Sequence, residues 1–304
     1  MIKKWGIAPI IALYLIFPLT FIIAKKGFIY GPPMFFISLR MIFSGLAVLA
    51  YYVCSQKQTI TFKKKDWFLL AEATLFGIVL TYVPEFWTLK YMSVAKLTLF
   101  FTLTPFITFL ASHIRSHEKV TTQKIIGLII GLCGAIPMFL SGTPGENILP
   151  FFGGISLVEI IALLAVGSYA YGWIPVKILV SDKGYSISLI NGLRMLYGGI
   201  ISLGCSFFME DWSGYLPPVT NWPYFLWYVG LISLIGIACY TFYSILLRYY
   251  SATIISFTGF IEPFFAALYA WILLGETVSW IFFVALGIVG LGLYIFYQEE
   301  LRFS

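Results

Sequence analysis

The chain has 304 residues, of which 60% are hydrophobic and only 11% charged, and its mean hydropathy is +0.93. A soluble domain carries about 45–50% apolar and about 25% charged residues, so there is too little polar side chain here to coat a folded protein in water. A soluble enzyme, a nucleic-acid-binding protein and a disordered chain are excluded, and the formal charge of +6 has to be read by its position along the chain.

A helix needs about 20 apolar residues to cross roughly 30 Å of hydrocarbon. Taken in chain order, ten runs meet that demand: 6–24, 34–53, 67–89, 93–112, 125–141, 152–174, 187–209, 222–246, 252–274 and 279–297. The first follows Met1-Ile-Lys-Lys and reads as an uncleaved helix rather than a signal peptide, given the many spans behind it. Lys25-Lys26-Gly27, Ser55–Lys65, Ser116–Lys124, Gly142–Asn147, Ser181–Gly184 and Glu210–Asn221 punctuate the runs. Trp5, Trp67, Trp87, Trp173, Trp212, Trp222 and Trp280 fall near proposed ends, where an amphipathic ring prefers the interface.

Orientation follows from Lys and Arg. With the N-terminus inside, the inner segments hold Lys3, Lys4, Lys57, Lys63, Lys64, Lys65, Arg115, Lys119, Lys124, Lys177, Lys183, Arg248 and Arg302, against Lys25, Lys26 and Lys90 outside. This positive-inside bias predicts that both termini are cytoplasmic. Outer loops hold Glu146, Glu210, Asp211 and Glu276. Cys54, Cys133, Cys205 and Cys239 are scattered, and no CxxC occurs, so neither a metal cage nor a disulfide framework is expected.

The two halves resemble each other. Leu39-Arg40-Met41 with Gly45 matches Leu193-Arg194-Met195 with Gly199, 154 residues on. At an offset of 158, Tyr82 meets Tyr240, Leu89 meets Leu247, Lys90 meets Arg248, Tyr91 meets Tyr249 and Ser93 meets Ser251. The series continues with Pro105-Phe106 and Pro263-Phe264, Leu110 and Leu268, Glu118 and Glu276. Five spans per repeat is an odd number, so the second copy enters the membrane inverted. Inverted repeats are a signature of carriers whose halves rock about a central site.

These residues carry a family resemblance. Lys25, Pro33 and Leu39-Arg40, then Leu103-Thr104-Pro105 and Glu118, and above all Glu262-Pro263-Phe264-Phe265-Ala266-Ala267 ending in Leu274-Gly275-Glu276, resemble the EamA-type members of the drug/metabolite transporter superfamily. The likeness covers nearly the whole chain. Ser116-His117-Glu118 stands where the family has Leu-Gly-Glu, and Lys96 puts a charge where small residues are usual. The resemblance implies an all-α membrane protein of ten helices in two five-helix repeats, residues 1–147 and 148–304, that carries a small organic metabolite. A bacterial inner membrane is the setting it implies.

A charge inside hydrocarbon costs about 2.5–3.5 kcal/mol on insertion scales, so each one within a span is a site candidate. The deep acids are Glu72, Glu85, Glu159 and Glu262; the deep bases are Arg40, Lys96 and Arg194. Glu85 follows Pro84 and Glu262 precedes Pro263, and proline frees a carbonyl one turn earlier. Glu85, Glu159 and Glu262 lack acidic counterparts in the other repeat, which suits an asymmetric ligand. Arg40 and Arg194 are repeat-equivalent, which suits a shared structural task, and Glu118 and Glu276 read as helix-end anchors. Lys96 either joins the site or snorkels.

The family resemblance places Tyr14, Phe17, Tyr82, Phe86, Trp87, Tyr169, Trp173 and Tyr240 on spans around the central cavity. Rings plus carboxylates suit a cationic, planar ligand. S-adenosylmethionine fits, as do an aromatic amino acid or a lipophilic cationic drug. The candidate substrate residues are therefore Tyr14, Phe17, Tyr82, Glu85, Lys96, Glu159, Tyr169, Trp173, Tyr240 and Glu262. Gly127, Gly131 and Gly134, with Gly287, Gly290 and Gly292, allow close helix approach within the monomer or at a homodimer contact.

The expectation is a secondary carrier working by alternating access, with a small metabolite and the lipid bilayer as partners and no nucleic acid, metal or cofactor. No Walker motif is present, so exchange or a proton must drive it. Proton-coupled multidrug efflux is the nearest alternative. From another class, an intramembrane enzyme would need more than His113 and His117, which lack the HExxH arrangement.

Overall fold

The computed structural model describes residues 8–55, 62–116, 121–140, 156–212, 217–250 and 252–303. Lys3, Lys4, Trp5, Lys57, His117, Glu118, Lys119, Glu146 and Ser251, named above, lie outside them. The described residues form fourteen α-helices: α1 (Ala8–Ile16), α2 (Leu19–Gly27), α3 (Pro33–Ser55), α4 (Asp66–Thr74), α5 (Leu80–Leu89), α6 (Val94–Phe101), α7 (Thr104–Ser116), α8 (Thr122–Leu140), α9 (Leu157–Lys177), α10 (Ile187–Met209), α11 (Trp222–Leu246), α12 (Ala252–Thr258), α13 (Glu262–Leu274) and α14 (Trp280–Phe303). Several are halves of one apolar rod interrupted by a local irregularity.

Seven continuous rods among the described residues are long and apolar enough to cross a membrane: Ala8–Gly27, Pro33–Ser55, Asp66–Leu89, Val94–Ala111, Leu157–Asp182, Ile187–Met209 and Trp222–Leu246. Three shorter apolar segments, Thr122–Gly131, Gly259–Leu274 and Trp280–Gly292, lie within or close to the remaining expected runs. The multi-pass helical character is plain. The short turn at residues 90–93 separates α5 from α6, and Ser93 caps α6 by accepting the Lys96 amide at 3.2 Å.

Proline explains most interruptions. Pro18 offers no N–H between α1 and α2, and the Phe17 carbonyl at the break accepts the Thr20 amide at 3.0 Å and the Thr20 hydroxyl at 2.7 Å. α6 gives way to α7 just before Pro105, and α12 gives way to a 3-10 turn (Gly259–Ile261) just before Pro263, the repeat-equivalent position. Pro84 is instead absorbed inside α5, and the irregularity sits upstream as a π turn over Leu75–Val79. A second π turn, Ile178–Asp182, follows Pro175 in α9. Single π turns in α-helices often mark functional sites.

α3 and α10 pack against each other, as do α8 and α14. The first contact is reciprocal. A Cβ on Gly45 would stand 2.5 Å from the Leu196 backbone nitrogen, and one on Gly199 would stand 2.8 Å from that of Ile42. Ile42 and Leu196 are themselves 154 residues apart, so the two glycines make the same backbone approach from opposite helices.

Candidate functional site

A buried aromatic cluster gathers at the centre of the bundle. Phe17, between α1 and α2, meets Tyr169 of α9 edge to face at 6.5 Å, and Tyr169 meets Trp173 at 6.1 Å. Trp173 stacks on Tyr243 of α11 with centroids 3.9 Å apart and an interplanar angle of 14°. Tyr240 stands 5.6 Å from Trp173 and 6.1 Å from Tyr82 of α5. Tyr14 of α1 presses on Gly259, where a Cβ would lie 2.8 Å from the ring. That glycine lets the 3-10 turn before Glu262 approach α1.

Trp173 is therefore a central residue and not the interfacial one its place near the end of a sequence run suggested. The run extends through the π turn to Asp182, which leaves Trp173 well inside the rod.

Two carboxylates enter this cluster. Glu262, the first residue of α13, is 6% exposed, and its Oε1 has no hydrogen-bond partner among the described residues. It lies within electrostatic reach of Tyr14, Tyr169, Tyr243, Cys239 and Glu85. Glu85, 3% exposed on α5, faces Arg40 as well as Glu262. The structure thus brings Tyr14, Phe17, Tyr82, Glu85, Tyr169, Trp173, Tyr240 and Glu262 together, all buried.

The arginines belong to the same cluster. Arg40 of α3 lies over Tyr82 at 5.3 Å and Phe86 at 5.8 Å, and Arg194 of α10 lies over Trp173 at 4.4 Å and Tyr240 at 4.9 Å. Arg194 is 0% exposed, and its Nε, Nη1 and Nη2 all lack a hydrogen-bond partner among the described residues. Its strongest electrostatic neighbours are the hydroxyls of Tyr240, Tyr82, Tyr169 and Tyr243, and among the described residues no carboxylate forms an ion pair with it. Burying an ion costs several kcal/mol, and each aromatic face returns about 2 kcal/mol when desolvated. Sequence reasoning assigned both arginines a shared structural task and passed over Tyr243; the signal for Arg194 was its charge in mid-span.

Lys96 and Glu159 stand apart from the cluster. Lys96 Nζ pairs with Glu159 Oε1 at 2.9 Å, and Glu159 Oε2 accepts the Ser156 amide at 2.7 Å in a capping box that starts α9. Ten residues, about 15 Å of helix, separate Glu159 from Tyr169. In the sequence these two charges are separate candidates, whereas the fold makes them each other's counter-ion. At the same end, Glu276 accepts Lys25 Nζ at 2.6 Å and the Val94 amide at 3.0 Å, tying α2 and α6 to the start of the segment before α14. Glu210 accepts the Met34 and Phe35 amides at 2.7 and 2.9 Å, capping α3.

The opposite end is held by Asp66, which takes Lys183 Nζ and, at 2.6 Å, the Tyr185 hydroxyl. Arg248 donates to the Tyr185 carbonyl at 3.1 Å. The central cluster therefore lies between two polar clusters, each joining the two halves of the chain. On the Glu276 side a cavity of about 450 Å³ opens between Tyr30, Trp87, Lys90, Tyr91, Glu210 and Asp211.

Comparison with known proteins gives a consistent picture. The model of the EamA-like transporter family matches residues 4–140 and again 156–298. An S-adenosylmethionine/S-adenosylhomocysteine transporter of Chlamydia muridarum is 29% identical over 285 residues, 93% of this chain and 88% of that protein. One of the same name from Chlamydia trachomatis serovar L2 is 28% identical, covering 93% and 86%. The uncharacterized transporter YetK of Bacillus subtilis is 22% identical over 90% of this chain and 81% of its own. A crystal structure superposes on 97% of this chain and 96% of its own with a TM-score of 0.61 at 18% identity, a likeness of fold.

Proposed function

Because the chain belongs to the EamA-like transporter family, and is a transporter and not an enzyme, we propose that it is a secondary carrier of S-adenosylmethionine or a close amino-acid or adenine-bearing relative, working by alternating access and exchange. The observation that carries this reading is Glu262, a buried carboxylate with an unpartnered oxygen, set among Tyr14, Tyr169, Tyr243 and Trp173. A sulfonium or ammonium centre would neutralise that carboxylate, and a purine would find ring faces to stack upon. The relatives named for S-adenosylmethionine and S-adenosylhomocysteine transport support the same chemistry.

In this reading ten spans cross a bacterial inner membrane with both termini in the cytoplasm, and residues 1–147 and 148–304 form the two inverted halves. The halves rock about the central cluster, so that the polar tie at Glu276 and the one at Asp66 open in turn. Tyr14, Phe17, Tyr82, Glu85, Tyr169, Trp173, Tyr240 and Glu262 contact the substrate, and Lys96 with Glu159 holds one end shut. Exchange needs no coupling ion, because the returning ligand resets the carrier.

The test is uptake of labelled S-adenosylmethionine into liposomes holding the purified protein, with and without unlabelled S-adenosylhomocysteine inside. Saturable uptake that the internal ligand accelerates supports the proposal. Absence of uptake by folded protein, with or without the internal ligand, removes it.

A further inference from the structure

Arg194 is the most conspicuous unused group in the molecule. It is fully buried, lies against Trp173 and Tyr240, and offers three nitrogens with no acceptor among the described residues. Its repeat-equivalent, Arg40, has an acid within electrostatic reach: Glu85. The offset of 158 that carries Tyr82 to Tyr240 also carries Glu85 to Tyr243. The second half of the protein therefore keeps the arginine and the tyrosine but replaces the carboxylate with a phenol. What the second arginine lacks, among the described residues, is an acid placed as Glu85 is placed for the first.

We propose that the missing counter-ion arrives with the ligand: Arg194 binds a carboxylate of the transported molecule, at the place Glu85 holds in the first half. This rests on the carrier reading above and deepens it. The ligand class becomes an amphoteric one, with a cationic centre towards Glu262, a carboxylate on Arg194 and a flat ring system among the aromatic side chains between them. A purely cationic drug would leave Arg194 unpaired and is disfavoured. The arrangement also gives the carrier a reason to stay shut around its cargo, because a guanidinium that gains bidentate hydrogen bonds in a dry site holds a carboxylate firmly.

Two measurements test it. The first needs no ligand. Removing an unpaired buried charge relieves a cost of burial, so Arg194→Met raises the melting temperature of the ligand-free protein in detergent. A fall of several degrees means that the guanidinium is a structural partner and overturns the proposal. The second pairs ligands with variants: S-adenosylmethionine against its carboxamide, in which the anion alone is lost, binding to wild type and to Arg194→Gln. The expected result is a roughly ten- to hundredfold weaker binding of the carboxamide to wild type, and no discrimination by the variant.

Equal binding of acid and amide to wild type overturns the carboxylate's role while leaving the carrier reading intact. Discrimination that persists in Arg194→Gln places the carboxylate elsewhere and overturns it too. Binding of neither compound, with a raised melting temperature in Arg194→Met, removes S-adenosylmethionine as the cargo and supports an anionic ligand of another kind.

Discussion

Tyr82 and Tyr240 meet ring to ring, with centroids 6.1 Å apart and planes inclined at 38°, and each lies beneath an arginine of its own half: Arg40 at 5.3 Å and Arg194 at 4.9 Å. The four residues are repeat-equivalent in the sequence, so the site is assembled where two related pieces of chain face one another. Symmetry makes the frame, and the departures from it, Glu85 against Tyr243 above all, make the site polar in one direction.

The frame itself predicts a paired stability defect. Gly45 and Gly199 make one contact seen from two helices, and a Cβ at either would meet a backbone nitrogen of the facing helix first, at 2.5 and 2.8 Å. Gly45→Ala and Gly199→Ala should each cost about 1–3 kcal/mol by overpacking, read as a lowered midpoint of thermal unfolding in detergent. The double variant should fall short of the sum, because the first substitution already parts α3 from α10. Full additivity would show that the two glycines relieve separate crowding.

Glu85 and Glu262 should behave differently despite their common burial. Glu85 lies within electrostatic reach of Arg40, so Glu85→Gln removes part of that buried guanidinium's compensation and should lower the unfolding midpoint. Arg40→Gln added to it should recover much of the loss. Glu262 Oε1 has no donor to lose, so Glu262→Gln should leave the unfolding midpoint unchanged or higher and abolish uptake. A Glu262→Gln protein that still takes up S-adenosylmethionine at the wild-type rate would take Glu262 out of the site.

Much of this could be read from the sequence, for physical reasons that differ by residue. Glu262 stands out because a charge is costly inside an apolar run and the proline beside it breaks the helix there. Tyr82 and Tyr240 stand out because an ungapped repeat makes them equivalent. Lys96 and Glu159 show the limit. Each looks isolated along the chain, and only the docking of α6 against α9 makes them a pair. Trp173 misleads in the other direction, since the π turn that lengthens its helix leaves no pattern in the residues. Arg194 was visible as a charge, but its lack of an acid could be seen only once the neighbours from α5, α9 and α11 were in place.

The polar clusters at the two ends should control access to the centre, and the protein carries its own reporter. Cys239 is buried next to Glu262 and Arg40, while Cys54 and Cys133 are exposed and Cys205 partly so. With those three replaced by serine, Cys239 alone reports when the centre opens to water. Glu276→Gln removes the Lys25 ion pair and weakens the hold on the Val94 amide; Asp66→Asn weakens the tie to Lys183 and Tyr185. Each tie opposes opening at its own end only, so a loss of about 1.4 kcal/mol raises that open population about tenfold. In oriented vesicles, a membrane-impermeant thiol reagent should then modify Cys239 about ten times faster from the Glu276 face in the first variant and from the Asp66 face in the second. Saturating substrate should slow both reactions by occupying the centre. Equal acceleration from both faces in either variant would mean that the substitution loosens the whole bundle, and the end clusters would then be supports and not gates.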